Sequence, residues 1–370
     1  MTIEHSGAAR ERRLPALSLM AGACLALSLQ GCIQRDHPDS GSGDTGGGGD
    51  GGTTPGVCAN LPAALTQYKG GDALGEELTL SLDPATLAYT ITVDASVQRA
   101  AASTRSGTLA QVDGCTYTSG ESGAVFTLSA NGVVEGGVQT PAGDSFTPLL
   151  AFRDTYNNAD APTAFNDVAL IFNAVGVQTE AGVTSSYAGS GRLRNAGTVQ
   201  FCTDATTGGF TVYSSSCADT AKGYISYNAT HDAFDFYTTD PAGSAVTTGG
   251  TLSGSVILGE AGTTIVPLQL VRNSATSFGM RILTLQDTLP SGTADGSYAV
   301  VDSAGSNADA SWSGDAFTRA GSAATLAYDT PVPGVVEASG ALSGHLIYAG
   351  GVYGFVPAAD GAAFEVGVAN

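Results

Sequence analysis

The chain has 370 residues, with 14 lysines and arginines against 34 aspartates and glutamates, and a formal net charge of −20. Such an acidic chain repels phosphate backbones, which excludes nucleic acid as a partner, and it lacks a basic patch to grip anionic lipid. Charged residues make up only 13%, while glycine alone contributes 51, so the composition is that of a folded protein rich in turns. In chain order, Arg10, Arg12 and Arg13 form a basic start, and residues 14–29 are apolar. That run is shorter than the ~20 residues a membrane-spanning helix needs. Cys24 lies within it as a small apolar residue.

The apolar run ends in Leu29-Gln30-Gly31-Cys32. This resembles the lipobox of bacterial lipoproteins, with small Gly31 before the cysteine as signal cleavage requires. The resemblance implies that residues 1–31 are a signal peptide and that Cys32 becomes an acylated N-terminus, carrying diacylglycerol and palmitate and anchoring the chain in a lipid bilayer. Ile33, not aspartate, follows, which in a Gram-negative envelope favours the outer membrane, its periplasmic and surface faces being left open. Loss of the signal shifts the charge to about −21 and leaves two lysines, Lys69 and Lys222; a charge of this size favours solubility. Residues 32–57 are a Gly/Ser/Asp tether that cannot bury apolar surface. A flexible tether of this kind reaches roughly 25–30 Å. His37 within it is a solvated side chain.

From Cys58 onward, four cysteines remain: Cys58, Cys115, Cys202 and Cys217. An even count in an exported chain points to disulfides, and the absence of C-x-x-C spacing argues against zinc or a redox pair. Three pairings are possible. Cys58–Cys115 and Cys202–Cys217 are favoured, because near pairs staple local hairpins; the shorter loop would contribute on the order of 3 kcal/mol.

The periodicity is that of strands. Residues 78–82, 89–93, 210–213, 224–227, 234–236, 353–355 and 364–368 alternate or are strand-rich, and Gly, Asn, Asp and Ser clusters punctuate them. No helical stripe persists for three turns; a short helix is expected over Leu61–Tyr68, with Pro62 near its start. A transmembrane barrel is set aside, since the strands are short, unevenly spaced and without aromatic girdles. Residues 132–138, 250–256 and 340–346 share a glycine-framed pattern, and Pro148-Leu149 with Arg153 recurs as Pro267-Leu268 with Arg272. The first two copies lie about 119 residues apart, which suggests two related halves meeting near residue 190. The expected fold is therefore all-β, an antiparallel sandwich or soluble barrel-like domains in two related halves, 58–190 and 191–370.

Chemical motifs are sparse. There is no G-x-S-x-G elbow, phosphate loop or H-E-x-x-H. Gly143-Asp144-Ser145-Phe146 resembles the serine block of GDSL-type hydrolases, but neither His231 nor His345 has an aspartate three residues earlier. Both histidines are read as structural or solvated, and no metal or cofactor is expected. Asp154, Asn157, Asn158, Asp160 and Asp167 form an oxygen-rich loop without EF-hand spacing, read as a polar turn. Carboxylate-only glycoside chemistry needs just two acids. Asp235 and Glu365, each beside aromatic residues, are candidates, although alternation would point both at water. Thirteen tyrosines and Trp312, in a loop-edge setting, offer contact surface for a protein or glycan.

Lipid anchor, Gly-rich tether and β-rich halves together resemble, in outline, surface lipoproteins of the transferrin-binding type. The resemblance covers architecture only, and no residue role follows from it. The expected function is a non-enzymatic, membrane-anchored binding protein of the cell envelope. The alternatives are a carboxylate-based glycan hydrolase and a structural envelope component.

Overall fold

The computed structural model describes residues 58–370 except 121–122, 140–145, 157–164, 166–167, 203–205, 208, 216–219, 240–246 and 359–360. The lipobox, Cys32 and the tether lie outside the described residues. So do Cys217, Asn157, Asn158, Asp160, Asp167 and Gly143 to Ser145. Among the described residues the chain is all-β, in three barrel-like sheets.

The first sheet holds β1 (Thr66–Asp72), β2 (Glu77–Asp83), β3 (Ala88–Ala95), β4 (Thr104–Thr108), β5 (Ala110–Asp113), β6 (Thr116–Thr118), β7 (Val125–Leu128), β8 (Val133–Gln139) and β9 (Phe146–Phe152). Its spatial order is β4-β3-β2-β1-β9-β8-β7-β6-β5. The edge strands β4 and β5 are separated in the chain by Leu109 alone, so the sheet rolls up around Tyr68, Leu80, Tyr89, Ile91, Phe126 and Leu149. Cys58 and Cys115 close a disulfide across this unit, with Cα atoms 4.7 Å apart.

The second sheet comprises β10 (Asp154–Thr155), β11 (Ile171–Glu180), β12 (Val183–Leu193), β13 (Thr198–Cys202), β14 (Thr206–Thr207), β15 (Phe210–Thr211), β16 (Thr220–Asn228), β17 (Ala233–Thr239), β18 (Thr251–Ala261), β19 (Thr264–Ser274) and β20 (Ser277–Leu285). Pairing of β11 with β12 closes eight of these strands into a ring, β11-β20-β19-β18-β17-β16-β13-β12. Phe172, Leu193, Ile225, Phe236, Val256, Leu258 and Leu283 pack together from around that ring and line an apolar void of about 40 Å³. The Arg281 guanidinium donates to Gln178 and Gln269 and lies 3.7 Å from the centre of the Tyr187 ring. Cys202 is buried and disulfide-bonded.

The third sheet is a closed eight-stranded barrel: β21 (Gly296–Asp302), β22 (Asn307–Ser313), β23 (Ala316–Arg319), β24 (Ser322–Tyr328), β25 (Val335–Gly340), β26 (Gly344–Ala349), β27 (Val352–Pro357) and β28 (Glu365–Ala369). Tyr298, Trp312, Phe317, Tyr353 and Phe355 fill it, the first four through edge-on ring contacts.

Several expectations are corrected. Three sheets replace two halves, and residue 190 falls inside β12, which pairs with β11 over its whole length. The helix expected over Leu61–Tyr68 gives way to β1 from Thr66 onward, because that segment is central, hydrogen-bonded to both β2 and β9; tertiary pairing overrides local signals. Trp312 is not a contact residue: it is 1% exposed inside the third barrel, its Nε1 donating to the Tyr328 hydroxyl at 2.8 Å. Six of the tyrosines, Tyr68, Tyr89, Tyr117, Tyr224, Tyr298 and Tyr353, are likewise core residues.

The apparent repeat has one structural counterpart. At Gly136, Gly254 and Gly344 an added Cβ would fall 2.2, 1.8 and 2.1 Å from a carbonyl oxygen of the neighbouring strand, so each glycine permits a close strand approach. The register around them differs. Gly137 pairs with Pro148, whereas the corresponding Ser255 pairs with Leu270, not Pro267.

Truncating Trp312 to alanine should cost about 3–5 kcal/mol, the loss typical of a buried large aromatic. Removing the Cys58–Cys115 bridge, which closes a separation of 57 residues, should cost about 2–5 kcal/mol. Denaturant midpoints of the two variants would measure both.

Candidate functional site: a polar cleft between the first sheet and the third barrel

β8 presents two faces. Val134 and Val138 pack into the first sheet's own core, whereas Val133 joins a core shared with the other two barrels. Glu135 follows the parity of Val133 and so leaves its own sheet's core. Cross-strand register then places a polar row beside it: Glu135 pairs with Thr127 of β7, Thr127 with Thr116 of β6, and Thr116 with Asp113 of β5. The Thr116 and Thr127 hydroxyls are 3.1 Å apart, and the Thr127 hydroxyl hydrogen-bonds the Glu135 carboxyl.

The opposite wall comes from the third barrel. Thr116, Thr127 and Glu135 face Ala299 and Val300 of β21 and Asn307, Ala308 and Asp309 of β22 across a cavity of about 210 Å³. Asn307, Ala308 and Asp309 also line a wider groove of about 720 Å³, with Asp113, Ser297, Ser311, Thr318 and Asn370. The cavity and the groove thus share residues 307–309 as a common wall, and Glu135 lines the smaller of the two.

The electrostatics of this cavity are unusual. Glu135 is 1% exposed, and among the described residues its Oε2 has no hydrogen-bond partner. Burial pushes its pKa up to about 8, against the Thr127 hydrogen bond and with a smaller push from the Glu365 charge. A buried acid with an unmet oxygen, in the lining of a cavity, is a candidate site on physical grounds.

Glu365 was expected to face water. It is instead 3% exposed and paired with Phe355, on the inner face of the third barrel. Both its oxygens are engaged: the Tyr353 hydroxyl donates to Oε1 at 2.6 Å, and Arg319 pairs with Oε2 while reaching Asp302 at 2.8 Å. Burial still raises its pKa to about 7, opposed by Arg319 and by the Tyr353 hydrogen bond. Asp235, the other sequence candidate, lies on the second barrel, where Asn228 and Tyr237 hydrogen-bond it. The two candidate acids do not converge.

The remaining sequence candidates are structural. His231 Nδ1 sits 3.6 Å from Glu77, and His345 packs edge-on against Phe210 at 5.6 Å between ring centres. Asp154 forms an exposed pair with Arg153 at 2.9 Å. Among the described residues no group of three or more His, Cys, Asp or Glu side chains is placed to hold a metal ion. A second buried cluster joins Asp72, Glu76 and Glu77 to Lys69, Arg99 and Arg272, but there opposite charges compensate each other. Burial, with Glu76 adding to it, raises the Asp72 pKa well above its ordinary value.

Sequence reasoning passed over Glu135, although a signal was present: a lone acid in Val133-Val134-Glu135-Gly136-Gly137-Val138 breaks an otherwise apolar strand. No protein-family model, curated protein or solved structure matches the chain.

Because Glu135 ionises near pH 8 when folded and near its ordinary 4.5 when unfolded, folding takes up a proton between those values. Native stability from this group is greatest at acid pH and falls as pH rises through the window. The Glu135→Gln variant, which cannot ionise, should therefore lose less stability than the parent between pH 5 and pH 9. Thermal melts at the two pH values would measure this, and parallel slopes for parent and variant would contradict it.

Proposed function

We propose that this chain is an exported envelope lipoprotein, acylated on Cys32 and tethered by residues 32–57 to the outer membrane, that binds a ligand without transforming it. The observation that carries the binding reading is the buried Glu135, its Oε2 without a hydrogen-bond partner among the described residues, in the lining of a 210 Å³ cavity. Such an arrangement is costly for folding alone and is retained where a ligand completes it. The anchoring part of the proposal draws on the lipobox at residues 29–32.

The alternative, a glycan hydrolase, would draw on Glu135 and Glu365, whose pKa values both lie near neutrality. It stands second because Arg319 and Tyr353 occupy both oxygens of Glu365, leaving neither free to reach a sugar.

Metabolic labelling with a radioactive fatty acid should mark the parent protein and not the Cys32→Ser variant, which should move from the membrane to the soluble fraction. A variant that stays with the membrane would sink the acyl-anchor reading. Broad-protease shaving of intact and lysed cells then assigns the face: digestion of intact cells places the cleft outside, and protection until lysis places it in the periplasm.

A further inference from the structure

Resting on the reading of the cleft as a ligand site, we propose that its deep cavity receives a primary ammonium group carried on a hydroxylated body, of the amino-sugar class.

The lining dictates the charge of the head group. Around the 210 Å³ cavity the polar side chains are the Glu135 and Asp309 carboxyls, the Thr116 and Thr127 hydroxyls and the Asn307 amide. Among the described residues no lysine, arginine or histidine belongs to this set, nor to the lining of the adjoining groove. Once Glu135 is ionised, acceptors are in surplus. The Thr127 hydroxyl hydrogen-bonds the Glu135 carboxyl, Thr116 shares a hydrogen bond with Thr127, and Glu135 Oε2 is left unmet. A ligand must supply donors, and an ammonium supplies three together with the positive charge that a buried carboxylate lacks. A metal ion fits less well, because the described residues offer no cluster of three His, Cys, Asp or Glu groups. The net charge of −20 adds a field that draws cations toward the protein.

The dimensions dictate the rest. A cavity of 210 Å³ is smaller than the roughly 300 Å³ at which a pocket encloses a whole drug-sized ligand. It suits a head group, with Ala299, Val300 and Ala308 closing around the adjoining carbons. The body then lies in the 720 Å³ groove, where Ser297, Ser311, Thr318, Asn370 and Asp113 meet hydroxyl groups.

The charged and titratable groups nearest Glu135 are Glu365 and Tyr353 across the barrel wall, with Arg319 beside them, and Asp309 across the cavity. Arg319 is engaged by Glu365 and Asp302, so it does not supply the cation for Glu135. With Glu135 protonated below about pH 8, binding an ammonium at pH 7 expels the carboxyl proton to solvent and forms a carboxylate–ammonium pair.

Isothermal calorimetry on the full-length protein in detergent, with glucosamine as the probe and N-acetylglucosamine and magnesium as comparators, tests this. Glucosamine should bind, tighten from pH 6 to about pH 8, and weaken again by pH 9 as its own ammonium, which titrates at about pH 8, loses its proton. Binding should release most of one proton at pH 7, read from buffers of different ionisation heat. N-acetylglucosamine, and glucosamine on the Glu135→Gln variant, should bind at least ~30-fold more weakly, the loss expected when one partner of a buried charge pair is removed. The exposed Asp309→Asn variant, which leaves the core intact, should weaken binding only ~2–5-fold. Both sugars binding equally, and more weakly as pH rises from 6 to 8, would overturn the ammonium while leaving the cleft as a site for neutral polyols. Magnesium binding tightly to the parent and not to Glu135→Gln would likewise replace the ligand class. If neither sugar nor magnesium binds, and none shifts the amide resonances of residues 307–309, the cleft itself falls as a ligand site.

Discussion

Everything in this molecule hangs on one apolar seam to which all three sheets contribute their outer walls. Val133, Leu150 and Phe152 come from the first sheet, and Ile257, Leu268, Leu270, Met280 and Ile282 from the second. Val301, Val335, Ile347, Val366 and Val368 come from the third. A barrel that stands alone keeps its apolar residues inside and its polar residues out. Here the outer walls are apolar where they meet, so separating the units would expose the seam to water at roughly 25 cal/mol per Å². Close approach needs flat surfaces, and glycines provide them. An added Cβ on Gly259 would sit 2.2 Å from the Phe152 ring, and one on Gly354 would sit 2.6 Å from Val175. Asn131 then fastens the three units at one point, its backbone oxygen accepting from Gly262 of the second sheet and its Nδ2 donating to Gly350 of the third.

Polar groups caught at these junctions meet two different fates. Where the first sheet meets the second barrel, Glu77 is fully buried but has Lys69 at 2.8 Å and Arg272 at 3.5 Å, and Arg272 also donates to the Gly75 carbonyl at 3.2 Å. Burial costs are offset there by opposite charge, and removing one partner would leave an unpaired buried ion. Where the first sheet meets the third barrel, Glu135 has only a threonine hydroxyl, and like charge lies behind the wall. The contrast is between a charge-compensated ion network and a buried acid without a compensating cation among the described residues.

The cleft also reconciles the binding reading with the surrounding architecture. Its deep wall is a rigid strand row fixed by register, not a loop, so the acceptors are held in place before any ligand arrives. The aromatic residues that might have built a contact face are instead spent inside the third barrel, where Trp312, Phe317 and Tyr353 stabilise the wall that carries Asn307 and Asp309.

The sequence by itself determined the local features. The period-two alternation at residues 78–82 and 89–93 is β2 and β3, because side-chain parity is a property of the strand alone. The spacing of the cysteines anticipated Cys58–Cys115, since near pairs close local loops. Tertiary structure decided what depends on residues far apart. The segment after Leu61 became a strand because β2 and β9 flank it, and Trp312 became core because its barrel closes around it. Alternation told which residues share a face of β28, but not that both faces would be buried, which is why Glu365 was expected in water. The cleft was beyond local reading for the same reason. Its two walls, at residues 113–135 and 297–321, meet only when two barrels dock, and no periodicity within either segment encodes which outer wall will meet which.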